Sequence, residues 1–388
     1  MSSRARVIAG LFLASLAMRP QILAIGPLLP LIRPDLGLPA GVAGLLTTIP
    51  VLCMGLFAPI GPQVAARLGT KLAFAGCLTL IIGFGLLRSA APTVELVLLA
   101  TLGIGIGIGT AGAIPSMVVS QRIAERPALG TGAYAGGIVA GSTLAAALAV
   151  PLAVDGDWRR ALMTISLVSI VSLLIWLTVI PGGSAIRARD QPARRLPWRS
   201  RTGWLLVALF GLQSILFYGI VAWLPNAFVE RGWTADTAGA LVAVFNGVGL
   251  ITTIGLPLVA DRFGGRRAQL TVASIVGTVA LALIVALPDL AFVWIAILGL
   301  ALGAVFPLVL TLPLDVATEP AAVGSVAALM LLGGYILSSV GPVVLGAARD
   351  ITGSFAASEA ILVVIGVILS VACLALSPER LRQGVAPA

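Results

Sequence analysis

One arginine stands out in the sequence because it lies in the middle of a long apolar run. Arg19 is twelve residues from either end of the run 7–31, about 18 Å at 1.5 Å per helical residue. The guanidinium stays charged and costs about 2.5–3.5 kcal/mol at the centre of a bilayer helix. No Asp or Glu occupies the centre of any apolar run. We therefore expect Arg19 to face a water-filled cavity and to bind an anion or a strong acceptor there. The alternative is that backbone carbonyls, freed by Pro20, satisfy it.

An internal repeat indicates which positions face this arginine. Shifting the sequence by 195 residues aligns its halves, with Pro30 on Pro225 and Gly44 on Gly239. The same shift puts Ser214 opposite Arg19, and other polar residues lie deep in later apolar runs. The candidate substrate-binding residues are therefore Arg19, Gln213, Ser214, Tyr218, Asn246 and Tyr335. For each of the last five, a role in helix packing remains the alternative.

The composition specifies the environment of these residues. Of 388 residues, 59% are hydrophobic and only 10% charged, with a mean hydropathy of +1.11. Soluble domains carry about 25% charged residues. The apolar runs are too long, and lack the alternation, for barrel strands. The sequence predicts an all-α membrane protein with twelve transmembrane helices, at approximately 7–31, 41–63, 72–90, 94–118, 128–153, 160–181, 203–227, 236–258, 268–287, 290–313, 322–347 and 356–377.

The charges between the runs predict the orientation. If the N-terminus is cytoplasmic, 17 cations lie on the inner side and 6 on the outer side, the latter being Arg33, Arg88, Arg159, Arg160, Arg231 and Arg349. This bias predicts that both termini are cytoplasmic, in a multi-pass protein of the cell (inner or plasma) membrane. The net charge of +9 is thereby explained without nucleic acid. We expect the lipid bilayer as the surrounding partner.

The longest polar loop divides the chain. Residues 182–202 are basic and cannot span a membrane. They separate an N-terminal bundle (1–181) from a C-terminal bundle (203–388), each with six helices starting on the same side. Such parallel repeats are related by an axis along the membrane normal.

A short motif recurs after the second helix of each half. The second copy, PLVADRFGGRR at 257–267, contains an acid, a base, a glycine and further bases. It resembles the cytoplasmic motif of the major facilitator superfamily. The first copy, PQVAARLGTK at 62–71, has Ala66 in place of the acid. The resemblance implies a cytoplasmic gate motif made of Arg67, Gly69, Lys71, Asp261, Arg262, Gly264 and Arg266.

Longer stretches resemble one branch of that superfamily, the cyanate and nitroimidazole transporters. They are 19–38, 44–53, 211–241 and 333–353. Two positions depart from the branch: Ala17 stands where an asparagine is expected, and Leu331 where a glutamine is expected. The resemblance implies the major facilitator fold, alternating access and a monomer.

Other activities lack the residues they require. The sequence contains no GxxxxGK[ST] motif, no histidine and no paired carboxylates inside a run. We therefore expect neither an enzyme, a cofactor nor a metal site. The sequence predicts a secondary active or facilitative transporter of a small anionic or electron-rich polar solute, selected by Arg19. The alternatives are proton-coupled efflux of drug-like compounds and a nutrient receptor without transport.

Overall fold

The computed structural model describes residues 3–123, 125, 127–180, 196–259, 265–316 and 320–376. These residues form helices joined by short turns, and no strand occurs among them. The first half contains α1 (Ser3–Ser15), α2 (Pro20–Leu23), α3 (Ile25–Leu36), α4 (Ala40–Ala43), α5 (Leu45–Leu56), α6 (Ile60–Ala90), α7 (Val94–Ala111), α8 (Ile114–Arg122), α9 (Pro127–Leu152) and α10 (Trp158–Val179). The second half contains α11 (Arg201–Glu230), α12 (Ala235–Val259), α13 (Arg266–Ala286), α14 (Ala291–Val316), α15 (Pro320–Thr352) and α16 (Ala356–Ala375).

The helical segments are long and apolar enough for a polytopic membrane protein. Within the described residues, eleven segments have the length and hydropathy needed to cross a bilayer. The expected second span falls below this length, because α4 and α5 together cover only Ala40–Leu56. Eleven of the twelve expected spans are therefore long and apolar enough to cross a bilayer, and the remaining one is a shorter apolar helix.

The boundary between the expected second and third spans differs from the sequence prediction. The second helix ends at Leu56 rather than near residue 63, and α6 begins at Ile60 rather than near residue 72. The predicted loop is helical except at Gly69, where φ is 80° and ψ is 153°. A positive φ is accessible to glycine at little cost. The chain therefore bends at this single residue, and the polar residues around it extend the helix.

The first span is interrupted beside Arg19. Helix α1 ends at Ser15 and α2 begins at Pro20, so Leu16–Arg19 are not helical. Proline has no N–H and its ring clashes with the carbonyl four residues earlier, here that of Leu16. Arg19 becomes the residue before the first turn of α2, with φ −123° and ψ −6°. The predicted continuous helix is thus broken where the charge lies.

Helix α9 packs closely against this interruption through glycines. A Cβ atom on Gly137 would overlap the Phe12 carbonyl oxygen, and one on Gly141 would overlap the Leu16 carbonyl oxygen. Only a glycine allows the two backbones to approach this closely.

The two halves of the chain meet along several helix pairs. Helices α4 and α5 pack against α15, α3 against α11, and α9 against α12. At the start of α3 the backbones touch, since a Cβ on Gly26 would overlap the Val221 carbonyl oxygen. Similarly, a Cβ on Gly44 would lie 2.6 Å from the Pro342 carbonyl oxygen. These contacts close one end of the interface between the halves.

Substitution of Gly141 by alanine tests the packing at the interrupted helix. We expect Gly141→Ala to destabilise the protein by about 1–3 kcal/mol, because the new methyl group forces the backbones apart. Gly132→Ala is the matched control on the same helix, since a Cβ there meets nothing within 4 Å; it should gain up to about 1 kcal/mol from helix propensity. Thermal unfolding of both purified variants measures the difference. Equal unfolding temperatures would contradict the close approach.

Candidate functional site

A cavity of about 90 Å³ lies between the two halves of the chain. Its walls come from the interruption before α2 and from α9 in the first half, and from α11, α12, α14 and α15 in the second. A single water needs roughly 10–15 Å³ on this measure. The cavity therefore has room for several waters or a small solute.

The structure brings all six predicted binding residues to this one cavity. Arg19 contributes from the first half; α11 supplies three residues, and α12 and α15 one each. Together the lining positions are Arg19, Gln213, Ser214, Tyr218, Asn246 and Tyr335. They are separated by up to 316 residues in sequence. Their common location is established by geometry, whereas their binding of a substrate remains a prediction.

Arg19 is the only charged residue among those that line the cavity. It is half-buried, and its Nη2 donates to the Tyr335 hydroxyl at 3.5 Å. At that distance the hydrogen bond is weak. The ion pairs found in the described part of the chain do not include Arg19. Because a guanidinium has five N–H donors, most of its hydrogen-bonding capacity remains for a ligand.

The Tyr335 ring is held in place by packing on its own side of the cavity. Its ring meets that of Phe210 edge-on, with the centroids 5.0 Å apart. A Cβ on Gly55 would lie 3.1 Å from the Tyr335 Cβ, so α5 and α15 are close at this point. The Tyr335 ring is therefore fixed by α11 on one side and lies close to α5 on the other, and its hydroxyl reaches Arg19.

The remaining predicted residues are partly satisfied by other groups of the protein. Ser214 Oγ donates to Gln213 Oε1 at 3.3 Å, and Asn246 Nδ2 donates to the Val242 carbonyl at 2.9 Å. The Tyr218 hydroxyl donates to Met54 Sδ at 3.6 Å, which is a weak contact. Hydroxyl groups rotate to suit their partner. Tyr218 and Ser214 can therefore turn toward a solute at small cost.

Aromatic rings that the sequence prediction missed form much of the apolar wall. Phe217, Phe245 and Phe306 line the cavity, and the Phe217 and Phe245 ring centroids are 5.6 Å apart. Ser142 and Thr253 add hydroxyls that were also missed. A phenylalanine in an apolar run does not reveal from the sequence whether it faces a cavity, because its side chain is equally compatible with lipid and with a cavity wall. The internal repeat did identify the face of α11 that points into the cavity, because it places Ser214 opposite Arg19.

The expected cytoplasmic motif is only partly described. Asp261, Arg262 and Gly264 lie outside the described residues. Arg266 Nη1 donates to Asp315 at 2.6 Å and to the Thr311 carbonyl at 3.3 Å, which joins α13 to α14. In the first copy, Gly69 makes the bend, Arg67 is exposed, and the Lys71 carbonyl accepts from Trp176 Nε1 at 2.8 Å. A gating role for these residues remains a prediction.

The described residues offer no site for a metal ion, since no three His, Cys, Asp or Glu side chains cluster among them. The polar groups around the cavity are instead one guanidinium, two amides and several hydroxyls. Such groups donate and accept hydrogen bonds. The arrangement is suited to holding a small solute rather than to covalent chemistry.

Comparison with known proteins agrees with this architecture. The chain is 30% identical to the cyanate transport protein CynX of Escherichia coli (strain K12) over 96% of this chain and 97% of the relative. It is 29% identical to the 2-nitroimidazole transporter of the same organism, over 91% and 90%. The crystal structure of the nucleoside transporter NupG superposes with a TM-score of 0.79 at 13% identity, covering 96% and 99%. The family model described as Major Facilitator Superfamily matches residues 8–342. The chain, a multi-pass membrane transporter of the branch that contains these two relatives, therefore belongs to the major facilitator superfamily.

Proposed function

We propose that this transporter moves a small anionic or electron-rich polar solute by alternating access, as a secondary active or facilitative carrier, and that Arg19 selects the solute. The observation that carries the proposal is the charge of the cavity. Its lining contains one guanidinium and no carboxylate. In a poorly hydrated site an uncompensated positive charge attracts anions strongly and repels cations.

The size and walls of the cavity narrow the class of solute. About 90 Å³ between aromatic rings accommodates a compact, weakly hydrated molecule. A sugar needs many hydrogen-bonding partners, whereas this cavity offers few. Cyanate and 2-nitroimidazole, named for the two relatives, are both small and have electron-rich ends. These features support a small planar anion or nitro compound, with Gln213, Ser214, Tyr218, Asn246 and Tyr335 as its further contacts.

The proposal includes an arrangement in the membrane. Two parallel six-helix bundles, 1–181 and 203–388, would move against each other as a monomer, with 182–202 as a cytoplasmic linker. The short helix Ala40–Leu56 would complete the set of twelve. Both termini would be cytoplasmic in the cell (inner) membrane. In that orientation the closed end near Gly44 and Pro342 would be the outer one, which is the closure expected of an inward-facing state.

A carboxylate from the second half holds this closed end together. Asp350, on α15, accepts hydrogen bonds from the backbone N–H groups of Ala40 at 2.9 Å and Gly41 at 2.7 Å. Those groups lie at the first turn of α4, where N–H groups have no partner within the helix. Opening the outer side separates α4 from α15 and breaks both bonds. Asp350 therefore favours the inward-facing state.

Removal of the Asp350 carboxylate should shift the balance between the two states. We expect Asp350→Ala to raise the outward-open population about 5–30-fold, which corresponds to a capping contribution of about 1–2 kcal/mol. Spin labels on cysteines replacing the exposed Pro34 and Ile351, with native cysteines changed to alanine, report the outer separation. Asp289→Ala, at an exposed acid expected on the same side, is the control. Matching distance distributions in both variants would contradict this role of Asp350.

The selector role is tested by ligand-induced thermal stabilisation. A ligand that binds only the folded state raises stability by RT ln(1 + [L]/Kd). The panel contains cyanate, nitrate, short carboxylates, neutral nitroimidazoles and cationic drugs. We expect one anionic or nitro class to stabilise the wild type and Arg19→Gln to bind it at least ~10-fold more weakly, since hydrogen bonds to a charged group contribute about 1.5–3 kcal/mol.

Two further variants sharpen that experiment. Arg160→Gln removes a cation that is largely exposed, with 59% of its side chain accessible, and should leave affinity unchanged. Arg19→Lys keeps the charge without the planar fork, so intermediate affinity is expected. Full affinity in Arg19→Gln would rule out Arg19 as selector. Stabilisation by bulky cations that survives in Arg19→Gln would instead favour proton-coupled drug efflux.

A further inference from the structure

A second arginine is buried in the first half of the chain, away from the cavity. Arg88 was assigned to an outer loop from the sequence, but it lies in the last turns of α6 with 0% of its surface exposed. The count of expected outer cations therefore falls from 6 to 5, because the Arg88 side chain points into the helix bundle. The ion pairs found in the described part of the chain do not include it.

Arg88 binds the helix segment that follows Arg19. Its Nη2 donates to the backbone carbonyl of Gln21 and to Gln21 Oε1, both at 2.7 Å. Gln21, also 0% exposed, donates through Nε2 to Ser166 Oγ on α10 at 2.8 Å. Ser166 in turn donates to the Leu162 carbonyl at 2.8 Å. The segment carrying Arg19 is thereby tied to both α6 and α10.

Stability does not account for this arrangement. Arg88 Nε and Nη1 are buried, and neither has a hydrogen-bond partner among the described residues. A buried charge with unpaired donors is costly, and well-packed apolar side chains in its place are often as stable or more so. A buried guanidinium at this position therefore calls for a role other than packing.

The segment bound by Arg88 lies directly after the break in the first span. Helix α2 has only four residues, and Ala24, whose backbone is itself helical, joins it to α3. It is preceded by the non-helical Leu16–Arg19. Arg19 lines the cavity, whereas Gln21, two residues on, is turned away from it into the bundle. Gly85 leaves room for this contact, since a Cβ there would lie 2.6 Å from Ser166 Oγ and 2.9 Å from Gln21 Nε2.

We propose that Arg88 is a positioning residue: through Gln21 it holds the interrupted helix so that Arg19 presents its guanidinium to the cavity. Without this contact, the segment 16–23 samples other conformations and Arg19 spends less time in the binding geometry. The effect on ligand affinity rests on the function proposed for Arg19. The effect on the conformation of the segment does not.

The test replaces the buried polar pair by apolar side chains of similar size. Arg88→Met/Gln21→Leu removes the buried charge together with its side-chain acceptor. The backbone carbonyl of residue 21 loses the Arg88 donor, and Ser166 keeps its bond to the Leu162 carbonyl. Because the uncompensated buried charge is gone, the unfolding temperature should stay within about 3 °C of the wild type or rise. We expect affinity for the stabilising anion to fall about 10-fold. Hydrogen–deuterium exchange of backbone amides in residues 12–25 should accelerate at least 10-fold, with no ligand present.

Two variants serve as controls. Arg159→Met removes another arginine of the first half, one that pairs with Asp35 at 2.5 Å and is partly exposed; it should change neither affinity nor exchange in residues 12–25. Gln21→Glu gives Arg88 a charged partner in the same place and should preserve slow exchange. If the double variant does not fold, Gln21→Glu still tests the proposal, because rapid hydrogen–deuterium exchange of residues 12–25 in the folded Gln21→Glu protein would contradict it.

The readouts separate this proposal from the one on which it rests. If Arg19→Gln binds the anion normally, the selector role is wrong, while the exchange experiment still decides the role of Arg88. Unchanged exchange in residues 12–25 of the double variant would overturn the positioning role. A lowered unfolding temperature with unchanged exchange in that segment would do the same and would make Arg88 a structural residue only.

Discussion

The structure depends on one physical constraint, which is that a permanently charged guanidinium inside a low-dielectric membrane protein must be solvated by something. Arg19 has no carboxylate partner among the described ion pairs and only a weak hydrogen bond to Tyr335. A continuous helix in lipid cannot supply the missing partners. The surrounding structure supplies a cavity, and the helix that carries the arginine is interrupted at that point.

An interrupted helix creates a second requirement, because its free backbone groups must be accommodated. Pro20 ends the hydrogen-bond ladder, and α9 packs onto the exposed carbonyl of Leu16 through Gly141. On the side of the interrupted helix that faces the interior of the bundle, Arg88 donates to the backbone carbonyl and the side chain of Gln21. Two arginines without carboxylates are therefore linked through one short segment. The first faces a space for a solute, and the second holds the backbone that carries it.

The sequence alone could identify the polar part of the site. Polar groups are so costly inside apolar runs that Arg19, Gln213 and Asn246 stand out, and the repeat indicates the inward face of α11. It could not identify the aromatic wall, since Phe217 suits lipid as well as a cavity. Arg88 was misassigned because a charge near the end of a run looks like a loop residue. The residues around Gly69 were expected to form a loop, whereas the helix continues on both sides of the bend at that residue.

The cavity is asymmetric in a way that bears on transport. Its charge comes from the first half of the chain, whereas its amides, its tyrosines and its phenylalanines come from the second. A small anion held, as proposed, by Arg19 and by Gln213 or Tyr335 would bridge the two halves and favour states in which they are close. At the closed end, Asp350 reaches from the second half to the first turn of α4. A solute that draws the halves together at the cavity stabilises an occluded state, from which either end can open once the contacts at that end are broken.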